Sequence, residues 1–237
     1  RVASEIQQHL FPRKAPELDG FDIAGASKPA AATGGDYFDY LTTSDNQLAL
    51  AIGDVSGHGI GPAMLMAETR AYLRLLARNR NDLSLILTRA NTMMGEDVGK
   101  ERFVTMLLAK LDPEKRTLVH ASAGHSPAFV LGPDGEVKSE LRRTGMPLGV
   151  MPDAQYNVSR HMRLAKGDVL VLLTDGLEEA TNPEGELFGT GRILEAVHKS
   201  RQLKAAKIVE SVFEALENFS GNAEQLDDLT MIVAKAQ

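Results

Sequence analysis

The chain has 237 residues, 43% hydrophobic and 24% charged, an ordinary composition for a soluble globular protein and long enough to bury a substantial core. Its 26 Lys and Arg against 32 Asp and Glu give a formal charge of −6, and no basic run occurs, which speaks against nucleic acid or an anionic membrane surface as a partner. The absence of cysteine excludes disulfides and thiolate metal sites and fits a reducing, cytoplasmic compartment. No apolar run approaches the ~18 residues of a membrane-spanning helix, and no signal peptide is present. The chain opens on Arg1 rather than Met, which reads as a segment of a longer protein.

Arg1 to Leu10 places Val2, Ile6 and Leu10 at i, i+4 and i+8, a narrow apolar stripe on an otherwise polar helix. The stripe either packs on its own domain or ends a longer helix arriving from an upstream sensor or receiver module, pairing with its copy in a homodimer. Residues 1–15 are therefore set apart as a linker helix from an upstream regulatory module, and 16–237 as the domain proper. Pro12 and Pro16 stop the helix. Phe21 to Lys28 reads as a strand and Ala30 to Gly35 as a small-residue turn. In Asp36-Tyr37-Phe38-Asp39-Tyr40, acids interleave with aromatics. Aspartate is a poor strand former, so Asp36 beside Gly34-Gly35 is either a turn cap or a ligand to something cationic.

Leu48 to Met66 is the centre of the chain. Leu48, Leu50 and Ile52 alternate with small residues in a buried strand that ends at Gly53-Asp54, and glycines at 57, 59 and 61 then lead to a helix beginning near Pro62. This delivers a carboxylate from a rigid strand end into a loop where backbone can approach a ligand, although Asp54 could equally be a turn or capping residue. Pro62 to Arg78 and Leu83 to Val98 follow as amphipathic helices whose methionines are core filler. Phe103 to Leu111, Thr117 to Ala123 and Ala128 to Leu131 are strands joined by Asp-Pro and Pro-Asp-Gly turns, which implies antiparallel hairpins. His125, in the Gly124-His125-Ser126-Pro127 turn, is either structural or a ligand or acid, and Gly145 to Gly149 reads as a loop folded over something that the sequence does not identify. Asp168 to Thr174 is an apolar strand ending at Asp175-Gly176, the Asp54 arrangement repeated. Gly189 to Lys199 and Leu203 to Phe219 are helices, and Asp227-Asp228 leads into a last strand. Segregated hairpins and helix pairs argue an α+β fold with helix layered on sheet.

Asp36, Asp54, Asp175 and the pair Asp227/Asp228 all stand at ends of strand-like segments. Converging carboxylates repel one another, and divalent cations remove that repulsion. Oxygen-only ligation selects Mg²⁺ or Mn²⁺ over zinc. Two such ions roughly 3.5–4 Å apart can activate a water for in-line attack on phosphorus, with no nucleophilic side chain needed. The chain correspondingly lacks a G-x-S-x-G elbow, a G-x-x-x-x-G-K-[ST] loop and an H-E-x-x-H helix.

Gly34-Gly35-Asp36-Tyr37-Phe38-Asp39, Gly53-Asp54-Val55-Ser56-Gly57-His58-Gly59, Ala123-Gly124-His125, Thr174-Asp175-Gly176-Leu177-Glu178-Glu179 and Asp227-Asp228-Leu229-Thr230 occur in an order and spacing that resembles the bacterial metal-dependent protein phosphatases of the PPM type, the SpoIIE-like group. The resemblance runs from about Ile6 to Val233. It implies an αββα sandwich, two central, mainly antiparallel sheets flanked by helix pairs, with two Mn²⁺ or Mg²⁺ ions at one edge. By resemblance Asp54 is the bridging aspartate, the Val55 carbonyl a backbone ligand, Asp175 and Asp227 ligands of one ion, and Asp36 the acid serving the other. Asp39 and Asp228 would stand behind the ligands. The substrates implied are phosphoserine and phosphothreonine in proteins, often an antagonist of an anti-sigma factor in a partner-switching pathway. Eukaryotic relatives carry a histidine two residues after the bridging aspartate, where this chain has Ser56. His58 is then either the acid or a structural loop residue, and Lys28 is the candidate for the missing phosphate-binding arginine. A silent or conditionally activated phosphoprotein-binding module of the same fold is the alternative.

Overall fold

A computed structural model describes residues 2–97 and 102–237. In chain order the elements are α1 (Val2–Leu10), β1 (Phe21–Lys28), β2 (Tyr37–Thr42), β3 (Leu48–Val55), α2 (Ile60–Asn79), α3 (Leu83–Asp97), β4 (Val104–Asp112) and β5 (Thr117–Ala123). They continue with β6 (Ala128–Leu131), β7 (Val137–Leu141), β8 (Met162–Arg163), β9 (Val169–Leu173), α4 (Asp175–Glu179), α5 (Gly189–Ser200), α6 (Ala205–Ser220) and β10 (Leu229–Ala236). Two antiparallel five-stranded sheets result, one ordered β1-β10-β9-β6-β7 and the other β2-β3-β4-β5-β8. The expected strands and helices form, while β7 and β8, too polar or too short to signal themselves, were not expected from the sequence.

Strand period and residue size explain the four layers. On β3, Ala49 and Ala51 face α2 and α3 in one apolar cluster, while Leu48, Leu50 and Ile52 face the other sheet in a second. On β9, Leu170 and Leu172 join that central cluster, and Val169, Val171 and Leu173 pack beneath α5 and α6 in a third. Both faces of these strands are buried, so they read as continuous apolar runs rather than alternating ones. Three apolar interfaces separate helix pair, sheet, sheet and helix pair, the αββα sandwich expected from the resemblance.

One expectation needs correction. Ile6, in the middle of the expected α1 stripe, is 59% exposed; Gln7, 7% exposed, faces the body instead, with Leu10 of the stripe packing against the helix-side cluster. The Val2 side chain and Val98, to which α3 was expected to extend, lie outside what is described. The Gly145–Gly149 loop folds over the start of β4. Leu148 exchanges backbone hydrogen bonds with Val104 at 3.0 and 2.8 Å, and Pro147 packs against Gly124, whose φ of +69° admits no ordinary side chain there.

Candidate active site

Antiparallel pairing brings the acids to one edge. Tyr37 opposes Gly53 in the β2–β3 ladder, so the start of β2 and the end of β3 lie together, carrying Asp36 and Asp54. In the other sheet Leu173 opposes Met231, which puts Asp175 after β9 beside Asp227 and Asp228 before β10. Each sheet thus contributes its acids from two neighbouring strand ends.

Hydrogen bonds across the sandwich hold the two halves in place. The Thr174 hydroxyl donates to Asp36 Oδ2 at 2.8 Å, and the Asp36 backbone N–H donates to Asp228 Oδ2 at 3.3 Å. Asp228 Oδ1 accepts from the Ala30 backbone at 2.8 Å, and the Asp228 N–H donates to Asp227 Oδ1 at 2.8 Å. Asp228 is therefore a buried organiser that ties the Ala30–Asp36 turn to β10. The turn passes so close that a Cβ at Gly34 would lie 1.7 Å from Asp228 Oδ2, and one at Gly35 would lie 2.6 Å from the Val55 carbonyl oxygen and 2.9 Å from Asp54 Oδ1. Only glycine leaves that cradle open.

Among the described residues no cation balances the charges in this cradle. Asp36 is buried, and burial first, then the Asp54 and Asp228 charges, push its carboxyl well above the usual range against the opposing Thr230 and Thr174 hydrogen bonds. Asp54 is pushed up to about 8, by burial first and then by Asp175, Asp227 and Asp228. Burial and the neighbouring Asp175 and Asp228 raise the Asp227 carboxyl, opposed by the Asp228 N–H. Among the described residues none of Asp36, Asp54, Asp175 and Asp227 has a salt-bridge partner. Nor, among those residues, do any three acidic or histidine side chains close on a single point. Like charges without a counterion hold one another apart, so an open arrangement is what their repulsion favours. The donor chemistry of carboxylate oxygens, with the Val55 carbonyl beside an open glycine, fits hard divalent cations.

The remaining predicted residues stand elsewhere. Asp39, expected behind the ligands, is fully buried on the opposite side of β2. It accepts Arg74 Nε at 2.6 Å and Nη2 at 2.8 Å, together with the Tyr37 hydroxyl at 2.9 Å. It braces α2 on the sheet because its side chain follows Tyr37 onto the helix-facing surface, two residues along the strand. Lys28 points to α6, where it pairs with Glu217 and lies 4.8 Å from the Phe213 ring centroid. His58 is exposed on the loop after β3.

His125 is buried between the sheets. Its Nδ1 lies 2.8 Å from the Thr105 hydroxyl and its Nε2 lies 3.1 Å from the Leu173 carbonyl. Burial pushes its pKa down to about 4, so the ring is neutral at pH 7, which assigns Nε2–H as donor to Leu173 and Nδ1 as acceptor from Thr105. Thr105 opposes Asp54 in register and Leu173 precedes Thr174-Asp175, so the imidazole pins the two acid-bearing ends together. With both nitrogens committed it is a brace. Sequence reasoning left this open, quoted Thr174 and Thr230 within the recurring motifs without giving them a role, and passed over Gln7, since a hydrogen-bond partner far along the chain leaves no local pattern.

Residues 44–237 match the family profile described as Stage II sporulation protein E (SpoIIE). The phosphoserine phosphatase RsbU of Bacillus subtilis (strain 168) is 28% identical over 234 residues, covering 99% of this chain and 69% of that protein. Protein IcfG of Synechocystis sp. is 28% identical over 255 residues, covering 96% of this chain but 40% of that protein, so the chain spans less than half of that relative's length. Among solved structures, the SiaA-PP2C domain of Pseudomonas aeruginosa matches 100% of this chain and 95% of its own, with a TM-score of 0.85 at 25% identity. The profile match takes in β3, β9 and β10, the strands that deliver Asp54, Asp175 and Asp227, and on that ground the chain belongs to the Stage II sporulation protein E (SpoIIE) family.

Proposed function

We propose that this chain is a PPM-type serine/threonine protein phosphatase that hydrolyses phosphoserine and phosphothreonine with two divalent cations, Mn²⁺ or Mg²⁺, held by Asp36, Asp54, Asp175, Asp227 and the Val55 carbonyl. The observation that carries the reading is the set of aspartates drawn from both sheets to one edge, with the carboxyl pKa values of Asp36, Asp54 and Asp227 raised and, among the described residues, no salt-bridge partner for any of the four. When bound, the two ions supply positive charge to the phosphate oxygens and lower the pKa of the attacking water.

The chain's own residues do the rest. Thr174 and Asp228 fix Asp36, Gly35 leaves room beside Asp54 and the Val55 carbonyl, and His125 keeps the two strand ends in register. In this reading His58, exposed on the loop four residues beyond Asp54, would be the acid that protonates the leaving serine or threonine oxygen. A cavity of about 330 Å³ opens beside Asp227, lined among others by Glu179, Glu217, Glu224 and Leu226, with room for a side chain flanking the phosphorylated residue. The substrate in this reading is a phosphorylated protein of the STAS type that antagonises an anti-sigma factor, in cytoplasmic partner switching. An upstream sensor or receiver module, or a second copy of the chain, would act through α1.

Phosphate release from a phosphoserine peptide with Mn²⁺, with Mg²⁺ and with EDTA, alongside Asp175→Asn, tests the proposal. Turnover that requires either metal and disappears in the variant is expected. Turnover in EDTA, or turnover retained by Asp175→Asn, overturns it. Activity that does not change with protein concentration or on removal of residues 1–12 would argue against control through α1.

A further inference from the structure

We infer that the cavity beside Asp227 is a specificity pocket for a lysine or arginine side chain of the substrate, so that the enzyme prefers a phosphoserine with a basic residue close to it. The inference rests on the phosphatase reading above and deepens it by naming the side chain that accompanies the phosphate. The cavity, about 330 Å³, is walled by α4 with the turn after it, by the end of α6 and by the 221–227 segment. Gly176 and Asp227 belong to that wall, so the cavity adjoins the acid-bearing edge. A residue next to a phosphoserine held at that edge therefore has the cavity within reach.

Leu216 and Leu226 give the wall apolar surface, and Glu179, Glu217 and Glu224 give it charge; among the described residues no Lys, Arg or His lines it. Glu217 already holds the Lys28 ammonium, whereas among the described residues Glu179 and Glu224 have no salt-bridge partner. The end of α6 adds to the negative potential, because a helix C-terminus carries partial negative charge and no basic residue stands in this last turn. The acids border a space rather than enclose a point: among the described residues no three acidic or histidine side chains close on one centre. A bare ion finds no cage there, and leucine offers it no ligand. A long side chain with an apolar stem and a cationic head matches both parts of the wall, its stem along the leucines and its head at Glu179 and Glu224. The rim is held ready for it. Gln225 Nε2 donates to the Lys28 and Asp227 carbonyls, each at 2.9 Å, which ties the 221–227 segment to the end of β1. Next to that tie Leu226 is 78% exposed, and a substrate stem laid on it removes its surface from water.

The test uses phosphoserine peptides identical but for one residue, Lys, Ala, Leu or Glu, placed at successive positions on either side of the phosphoserine. kcat/KM with Mn²⁺ is read on the whole chain, and fluorescence anisotropy reads the affinity of the matching phosphonate peptides, which cannot be hydrolysed. At the best position lysine should exceed alanine roughly tenfold in both readouts, with leucine between them and glutamate below alanine. Rising salt should shrink the lysine preference, because part of the wall is open to solvent. Glu179→Gln combined with Glu224→Gln should bring the lysine-to-alanine ratio to within about twofold of one, and Leu226→Lys, which sets a cation of the chain's own at the rim, should lower the same ratio should the double variant fail to fold. No lysine preference at any position, leucine equal to lysine, or a ratio that survives these substitutions overturns the inference. A ratio is insensitive to a general loss of activity, so damage to the fold does not imitate the expected result. A parent chain that hydrolyses none of the peptides overturns the proposed function, while the phosphonate affinities, which need no turnover, still decide what the cavity takes.

Discussion

Asp36 and Asp39 lie three residues apart at the start of β2 and differ only in the neighbours they meet. Asp39 faces α2 and receives a two-point bond from Arg74 with a hydroxyl from Tyr37, so its charge is balanced within the protein. Asp36, beyond the strand end, meets Asp54 and Asp228 and two threonine hydroxyls, and among the described residues no cation pairs with it. A paired buried carboxylate holds helix to sheet, whereas an unpaired group of them stores repulsion that an added cation relieves. The contrast teaches that the acids to suspect of chemistry are those the fold leaves without a partner.

The strongest way to break the contrast is Asp54→Asn. On the proposed reading, in which Asp54 holds metal, its loss should cost several kcal/mol of catalysis, on the order of a thousandfold in kcat/KM. The metal-free melting temperature should stay level or rise, because the cost of burying that carboxyl among other acids, which holds its pKa up at about 8, is gone. A variant that keeps its activity, or that melts well below the parent, would place Asp54 among the structural acids. Asp39→Asn should do the reverse. Leaving Arg74 without its carboxylate, in a partly exposed setting, should cost about 2–3 kcal/mol of stability in denaturant titration, while Mn²⁺ binding changes little. Loss of metal affinity without loss of stability would move Asp39 into the metal centre instead.

His125 sharpens the comparison through pH. Its folded pKa of about 4 lies below the ordinary 6.5, so the neutral ring stabilises the fold fully above pH 6.5, and that contribution is lost as pH falls through 4. The full shift corresponds to at most about 3 kcal/mol. Stability measured from pH 7 to pH 4 should therefore fall less steeply in His125→Gln than in the parent, and an unchanged slope would show that the ring titrates normally. The smallest effect belongs to Lys28→Ala. With its ammonium on Glu217 at an exposed pair, the substitution should cost well under ~1 kcal/mol and leave KM for a phosphopeptide within about twofold. A large rise in KM would mean that Lys28 leaves Glu217 to bind phosphate.

Apolar runs such as Leu48–Ile52 and Val169–Leu173 announce strands buried on both faces, because no other element of that length hides so continuous a pattern. The recurrence of strand, aspartate, glycine at 54 and 175 announces where the chemistry gathers, since a carboxylate beside an open turn is an arrangement of local sequence. Composition and spacing thus carried the α+β class and the acids at strand ends, while the αββα order of layers came with the family resemblance. Which acids face one another was a matter of register across two sheets. Pairing Tyr37 with Gly53 and Leu173 with Met231 aligns four distant strand ends, and turning Asp39 to the helix side gives it to Arg74. The two-sided clamp of Gln7 on Gly34 and the brace of His125 between the sheets also belong to the tertiary structure, because a hydrogen-bond partner far along the chain leaves no period or local pattern in the sequence.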